Sequence, residues 1–272
     1  MIIDSHVHLW SLDRPECSWP THAEKPLHRD FGIDDLKPIL SRNAVGAAIL
    51  VQSQEHADDT AWLLSIAAGE PLIAGVVGWC DLLDEEAPAR IADLAAKPKA
   101  VGVRPMVQHC AAEWFDRPRL DPAFRSILTN NFVLDALIRI RHLPALNRLA
   151  IRYPDMRIVI DHAAKPTVGS KQAFDHWRAT IAPLADAANV TCKVSGLLTE
   201  CDDAPPDAVA PYISELLALF GADRLMWGSD WPVLTMADDY ESWLDLAKSC
   251  VPTKDHDRIF HQTASNVYGL AQ

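Results

Sequence analysis

Eight short apolar runs recur along the chain, at residues 2–8, 45–52, 72–79, 100–104, 132–137, 157–161, 190–194 and 224–228. Between them lie longer amphipathic stretches, including 58–68, 85–96, 122–129, 143–153, 171–188, 207–220 and 237–249. Short apolar runs alternating with helical patterns read as strands joined by helical crossovers, which is the signature of a parallel α/β sheet. The runs are apolar on both faces, as expected where helices cover the outside and packed side chains fill the inside. Eight such units in 272 residues match the roughly 250 residues of a (β/α)8 barrel. A final stretch, 254–268, reads as a terminal helix. No linker, low-complexity tract or internal repeat breaks the pattern, so one domain over residues 1–272 is expected. The competing doubly wound sheet would carry a Gly-rich first turn. Here that turn holds histidines, and neither Gly-x-Gly-x-x-Gly nor a Walker loop occurs anywhere, which disfavours nucleotide chemistry.

Composition narrows the partners. Acidic residues outnumber basic ones 37 to 25, for a net charge of −12. Nucleic acid and anionic membrane both require basic surface, so neither is expected as a partner. No run approaches the length of a transmembrane span. The first residues enter a strand directly without a signal-peptide pattern, which points to the cytoplasm. The six cysteines are scattered with no Cys-x-x-Cys pair and read as free thiols. A homo-oligomer stays open.

In a barrel of this kind the functional groups sit at the C-terminal strand ends. The first run ends in His6-Val-His8. Residues two apart on a strand share a face, so both imidazoles project together, with Asp4 expected one step deeper on that face. The later ends supply Gln52, Trp79, Arg104, Asp135, Asp161-His162, Lys193 and Asp230. A random set of strand ends would be mostly apolar or glycine. Asp161 reads as a helix cap or as a support for other site groups. Asp230 ends an apolar run just before Trp231-Pro232 and reads as catalytic.

The residue types suit activation of water. A carboxylate beside two or three histidines takes a proton while the imidazoles position the water, with or without a metal. Arg104 and Lys193 would stabilise an oxyanion or bind substrate, or else pair with Asp135 or Asp230. No nucleophile elbow is present.

The segments Asp4-Ser-His6-Val-His8-Leu-Trp10, Asp161-His162-Ala-Ala-Lys165-Pro166, Cys192-Lys193-Val-Ser195-Gly196 and Gly228-Ser229-Asp230-Trp231-Pro232 resemble the amidohydrolase superfamily, in its amidohydrolase-2 branch. They look closest to the sugar-lactone hydrolases of that branch, the L-fuconolactonase and L-rhamnonolactonase kind. The resemblance spans residues 2 to about 268. It implies a single distorted (β/α)8 barrel that opens a sugar (aldono-)lactone in deoxy-sugar breakdown. In that reading Asp230 is the general base, and His6, His8 and His162 orient the water and polarise the carbonyl. Arg104, Asp135 and Lys193 contact the substrate, and Trp79, Trp10 and Gln52 form walls. The chain departs from the two-metal pattern of the superfamily, because Arg104 and Asp135 stand where a bridging lysine and a histidine are usual. A two-metal centre is therefore not expected, and one zinc on His6, His8 and Asp230 remains sterically sensible; the resemblance to the branch's lactonases implies that no cofactor is required. The alternative within the branch is a metal-dependent decarboxylase or a pyrone-lactone hydrolase.

Overall fold

The computed structural model describes residues 1–270. Eight parallel strands follow one another around a barrel in sequence order: β1 Ile2–Val7, β2 Val45–Val51, β3 Ile73–Gly78, β4 Ala100–Val103, β5 Val133–Ala136, β6 Ile158–Ile160, β7 Val190–Val194 and β8 Leu225–Trp227. Closure between β8 and β1 is made at the top, where the His8 N–H donates to the Trp231 carbonyl (2.8 Å) and the Asp230 N–H donates to the His6 carbonyl (2.9 Å). These two bonds place Asp230 directly beside the two histidines.

The outer layer comprises α1 Ile33–Arg42, α2 Ala57–Gly69, α3 Ala87–Ala95, α4 Asp121–Thr129, α5 Leu143–Arg152, α6 Lys171–Ala185, α7 Ala210–Phe220 and α8 Tyr240–Ser249. Side-chain caps fix several starts: Ser170 accepts from the Ala173 N–H (3.1 Å) and Asp239 from the Ser242 N–H (2.8 Å). Helix α1 is not among the stretches singled out from sequence, and Pro38 inside it weakens the helical signal. The expected terminal helix is interrupted. A π-turn at Arg258–Gln262 precedes α9, Thr263–Tyr268. Ala264 and Tyr268 of α9 join the inner barrel core formed by Ile3, Ala47, Ile49, Val51, Val77, Val133, Val159 and Met226.

The first strand does not alternate strictly. Its pairing with β2 shifts register between Ile2 and Ile3 and again between Asp4 and Val7. Ile3 lies in the inner core, whereas the Asp4 carboxylate accepts from the Ser229 N–H (2.8 Å), the His6 N–H (3.2 Å) and the Tyr240 hydroxyl (2.8 Å). Asp4 therefore ties the β1–β8 seam to α8 and is not part of the histidine face, contrary to strict period-two counting. Among the described residues, no helix is long and apolar enough to cross a membrane. The six cysteines are free.

Candidate active site

Four side chains converge at the top of the barrel. One carboxylate oxygen of Asp230 lies 3.3 Å from His8 Nε2, 3.6 Å from His6 Nε2 and 3.8 Å from His162 Nε2. All four residues are buried. His8, His162 and Asp230 floor a cavity of about 290 Å³ that Trp19, Ser53, Arg104, Met106, Gln108, His109, Leu137, Lys165 and Val233 complete, while His6 is fully buried and does not line it. His162 is seated by Ser195, whose hydroxyl lies 2.8 Å from Nδ1. It begins a run of left-handed residues, His162, Ala163, Ala164 and Lys165, with φ of 53°, 50°, 63° and 52°. Each such non-glycine residue costs about 1–2 kcal/mol. Strain of this kind clusters where function fixes a geometry. The Trp177 indole braces the run by donating to the Ala163 carbonyl (2.8 Å).

Beneath this floor lies a second layer of charge. Lys193 Nζ is 2.6 Å from Asp135, 3.0 Å from Asp161 and 3.2 Å from His6 Nδ1. Tyr268 rises from α9 to donate to Asp135 (2.7 Å). Arg104 lies 3.5 Å from both Asp161 and His6 Nε2, and also donates to the Gln52 carbonyl. Burial raises the Asp230 carboxyl, but His162, His8 and His6 outweigh it and hold the group well below the usual carboxylate range. Burial pushes His162 down to about 4, against the pull of Asp230 and Asp161. Burial and the Lys193 ammonium keep His6 neutral. Burial disfavours the ammonium form of Lys193, but the facing Asp135 and Asp161 outweigh it, and Lys193 in turn holds the Asp161 carboxyl well below the usual carboxylate range against its own burial.

Of the residues expected from sequence, the structure brings His8, His162, Asp230 and Arg104 to the cavity, and sets His6 fully buried between Asp230 and Lys193. Asp135 and Lys193, expected to contact the substrate, sit fully buried a layer below the cavity and do not line it. Gln52 braces Arg104, with its side-chain amide donating to the Arg104 carbonyl (2.9 Å). Trp10 stands behind the wall: its indole donates to the Arg29 carbonyl (2.8 Å) and its ring packs 5.3 Å from that of Trp19. Trp79 faces away, in a groove between α2 and α3, with its N–H on the Thr60 hydroxyl (2.8 Å). Strand β3 ends at Gly78, and the chain turns outward there. Asp161 is not a helix cap but part of the Lys193 cluster. Sequence reasoning missed Trp19, Gln108 and Lys165. Trp19 is held by Gln54, which accepts from its N–H (3.3 Å) and donates to its carbonyl (2.6 Å).

His6 Nε2, His8 Nε2 and Asp230 form a triangle with sides of 3.1, 3.3 and 3.6 Å. Ligands about 2.0–2.1 Å from a tetrahedral zinc stand about 3.3 Å apart, so the triangle has the right size. These three residues could hold one divalent ion. A neutral imidazole has one N–H and one lone pair, and Nδ1 of His6, on the side away from the triangle, lies 3.2 Å from Lys193 Nζ.

A barrel of eight β/α units with His-x-His on β1, histidine after β6 and aspartate after β8 defines the class. A family model described as Amidohydrolase matches residues 3–270, and the chain belongs to that family. It is 44% identical over 253 residues to an L-fucono-1,5-lactonase of Burkholderia ambifaria, covering 91% of this chain and 87% of that one. An L-fucono-1,5-lactonase of Burkholderia multivorans is 32% identical over 286 residues, covering 99% and 96%. Among solved structures, a Burkholderia multivorans amidohydrolase with bound zinc superposes with a TM-score of 0.92 at 32% identity over 100% of both chains.

Proposed function

We propose that this protein hydrolyses an aldono-1,5-lactone of the L-fucono type, with Asp230 activating the attacking water. The observation that carries the reading is the convergence of three imidazoles on one buried, ionised carboxylate at the floor of a cavity sized for a single sugar ring. The likeness to two L-fucono-1,5-lactonases supports the substrate class.

Water held on Asp230 gives up a proton to the carboxylate as its oxygen bonds to the lactone carbonyl carbon. Arg104 and His162 face the same space and stabilise the oxyanion. Collapse of the tetrahedral intermediate breaks the ring C–O bond. The proton on Asp230 passes to the departing ring oxygen, which becomes the chain hydroxyl. The new acid ionises and is released. A lactone is an activated ester, so a positioned carboxylate and water suffice, and no step passes through a metal.

Acid release from a panel of five- and six-carbon aldonolactones, before and after chelation, tests the assignment. Release from L-fucono-1,5-lactone that survives chelation is expected, with a loss of about 10²- to 10⁴-fold in Asp230→Asn. Near wild-type turnover by Asp230→Asn would remove Asp230 from the mechanism.

A further inference from the structure

The histidine triangle has the size of a zinc site, and one residue behind it bears on its protons. Lys193 is fully buried on β7. An ammonium has three hydrogens and no lone pair. Nζ of Lys193 has two hydrogen-bond acceptors, Asp135 at 2.6 Å and His6 Nδ1 at 3.2 Å, and is ion-paired with Asp161 at 3.0 Å without a hydrogen bond to it. One ammonium hydrogen therefore goes to His6, which must present its lone pair at Nδ1 and carry its proton at Nε2.

The far side of the ring agrees. His8 Nδ1 lies 2.7 Å from the Val51 carbonyl, which only accepts, so His8 is protonated at Nδ1 and offers a lone pair at Nε2. In the neutral ring that lone pair lies 3.3 Å from the Asp230 carboxylate, which cannot donate, and 3.1 Å from His6 Nε2, which is where its donor must stand. Arg104 Nη1 also approaches His6 Nε2, at 3.5 Å, but has Asp161 as an alternative acceptor at the same distance. Hydrogen bonds thus run in one direction, from Tyr268 to Asp135, and from Lys193 through His6 to His8.

We infer that Lys193 sets the tautomer of His6 and so withholds from the cavity one of the three lone pairs that a metal ion would need. For His6 to ligate, its proton must move to Nδ1, directly against the ammonium. Asp161 stands 3.5 Å from the same Nδ1 and would accept that proton if Lys193 were absent. One side chain therefore separates a site that holds water from a site that holds a divalent cation. Lys193 is a positioning residue that acts through His6 and does not touch the substrate.

The test uses the metal-free full-length protein without lactone, so its outcome is independent of the lactonase reading. Lys193→Met alone would leave two buried carboxylates facing each other, so the variant is Lys193→Met/Asp135→Asn. Zinc affinity is measured by competition with a chromophoric chelator. The variant should bind one zinc about 10- to 100-fold more tightly than the native protein, the range that supporting residues exert on metal sites. The gain should vanish when His6→Asn is added. Equal zinc affinity in native protein and variant would overturn the inference. Long-range proton–nitrogen spectra of ¹⁵N-histidine-labelled protein give a second readout that does not depend on the variant folding. The histidine whose signals disappear in His6→Asn should be protonated at Nε2 in the native chain, and a proton on Nδ1 there would also overturn it.

Discussion

Gly196 gives the sharpest test of how the site is held. It follows β7 with φ of +59°, and an added Cβ would stand 2.5 Å from His162 Nδ1, 2.7 Å from His162 Cγ and 3.1 Å from an Asp230 oxygen. Non-bonded carbon contacts settle near 3.5 Å, so in Gly196→Ala the imidazole must retreat by about 1 Å. That movement breaks its bond to Ser195 and shifts it relative to Asp230. A misplacement of about 1 Å at reacting groups costs on the order of 100-fold in rate. Placing alanine at positive φ costs a further 1–2 kcal/mol or so of stability. In a domain of this size that lowers Tm by about 2–8 °C. The control is Gly269→Ala, at φ of +62° with nothing within 4 Å of the added methyl. It carries the conformational cost without the clash. Lactone hydrolysis and thermal unfolding of both variants separate the terms: Gly196→Ala should lose more stability than the control, by about 1 kcal/mol for the broken Ser195 bond, and only Gly196→Ala should lose about 100-fold in kcat/KM. If Gly196→Ala melts like the control and keeps activity within about threefold, the seat of His162 does not matter to the reaction.

Further expectations concern the wall, the strained turn and the seam. Gln54→Ala releases Trp19 from two hydrogen bonds worth about 1 kcal/mol each, so KM for the lactone should rise about tenfold with kcat little changed; unchanged steady-state kinetics would mean that Trp19 is held by packing alone. Ala164→Gly relieves one left-handed residue (φ 63°) while loosening the unfolded chain, for a net gain of about 0.5–1 kcal/mol. Its Tm should rise slightly, and a fall would mean that the run is not strained. Burial raises Asp4 from 3.8 to about 6, against its hydrogen bonds from Ser229, Tyr240 and His6. Because the folded value lies above the unfolded one, the group's contribution is fully present below pH 3.8 and is lost as pH rises through about 6. The melting curves of native protein and Asp4→Asn should therefore diverge as pH falls across that window, by about 3 kcal/mol in total. Parallel curves would show that Asp4 is not perturbed.

How much of this was legible depended on which variable a residue had to reveal. Strand identity and order were readable because a parallel barrel demands eight apolar runs separated by crossovers, and each run here meets that demand within a residue or two of the observed strand. Angular position around the barrel was equally readable, since a polar group that ends an apolar strand has nowhere to point except the mouth or the lumen. Depth was not. Asp135 and Lys193 lie within their strands and His162 and Asp230 two and three residues beyond theirs, and that small offset separates a buried ion pair from a cavity floor. Facing failed where backbone geometry departs from period two, at the register shifts of β1 that send Asp4 to α8 and at the outward turn after Gly78 that carries Trp79 away. The wall residues Trp19 and Lys165 carry no periodic signal, because one is held by Gln54 across a gap of 35 residues and the other by a left-handed turn. The difference between depth and angle also separates the two chemistries the site could host. The residues at the cavity floor would serve either a water or a cation, and it is the deeper residue, Lys193, whose hydrogen bond to Nδ1 decides which nitrogen of His6 carries the proton.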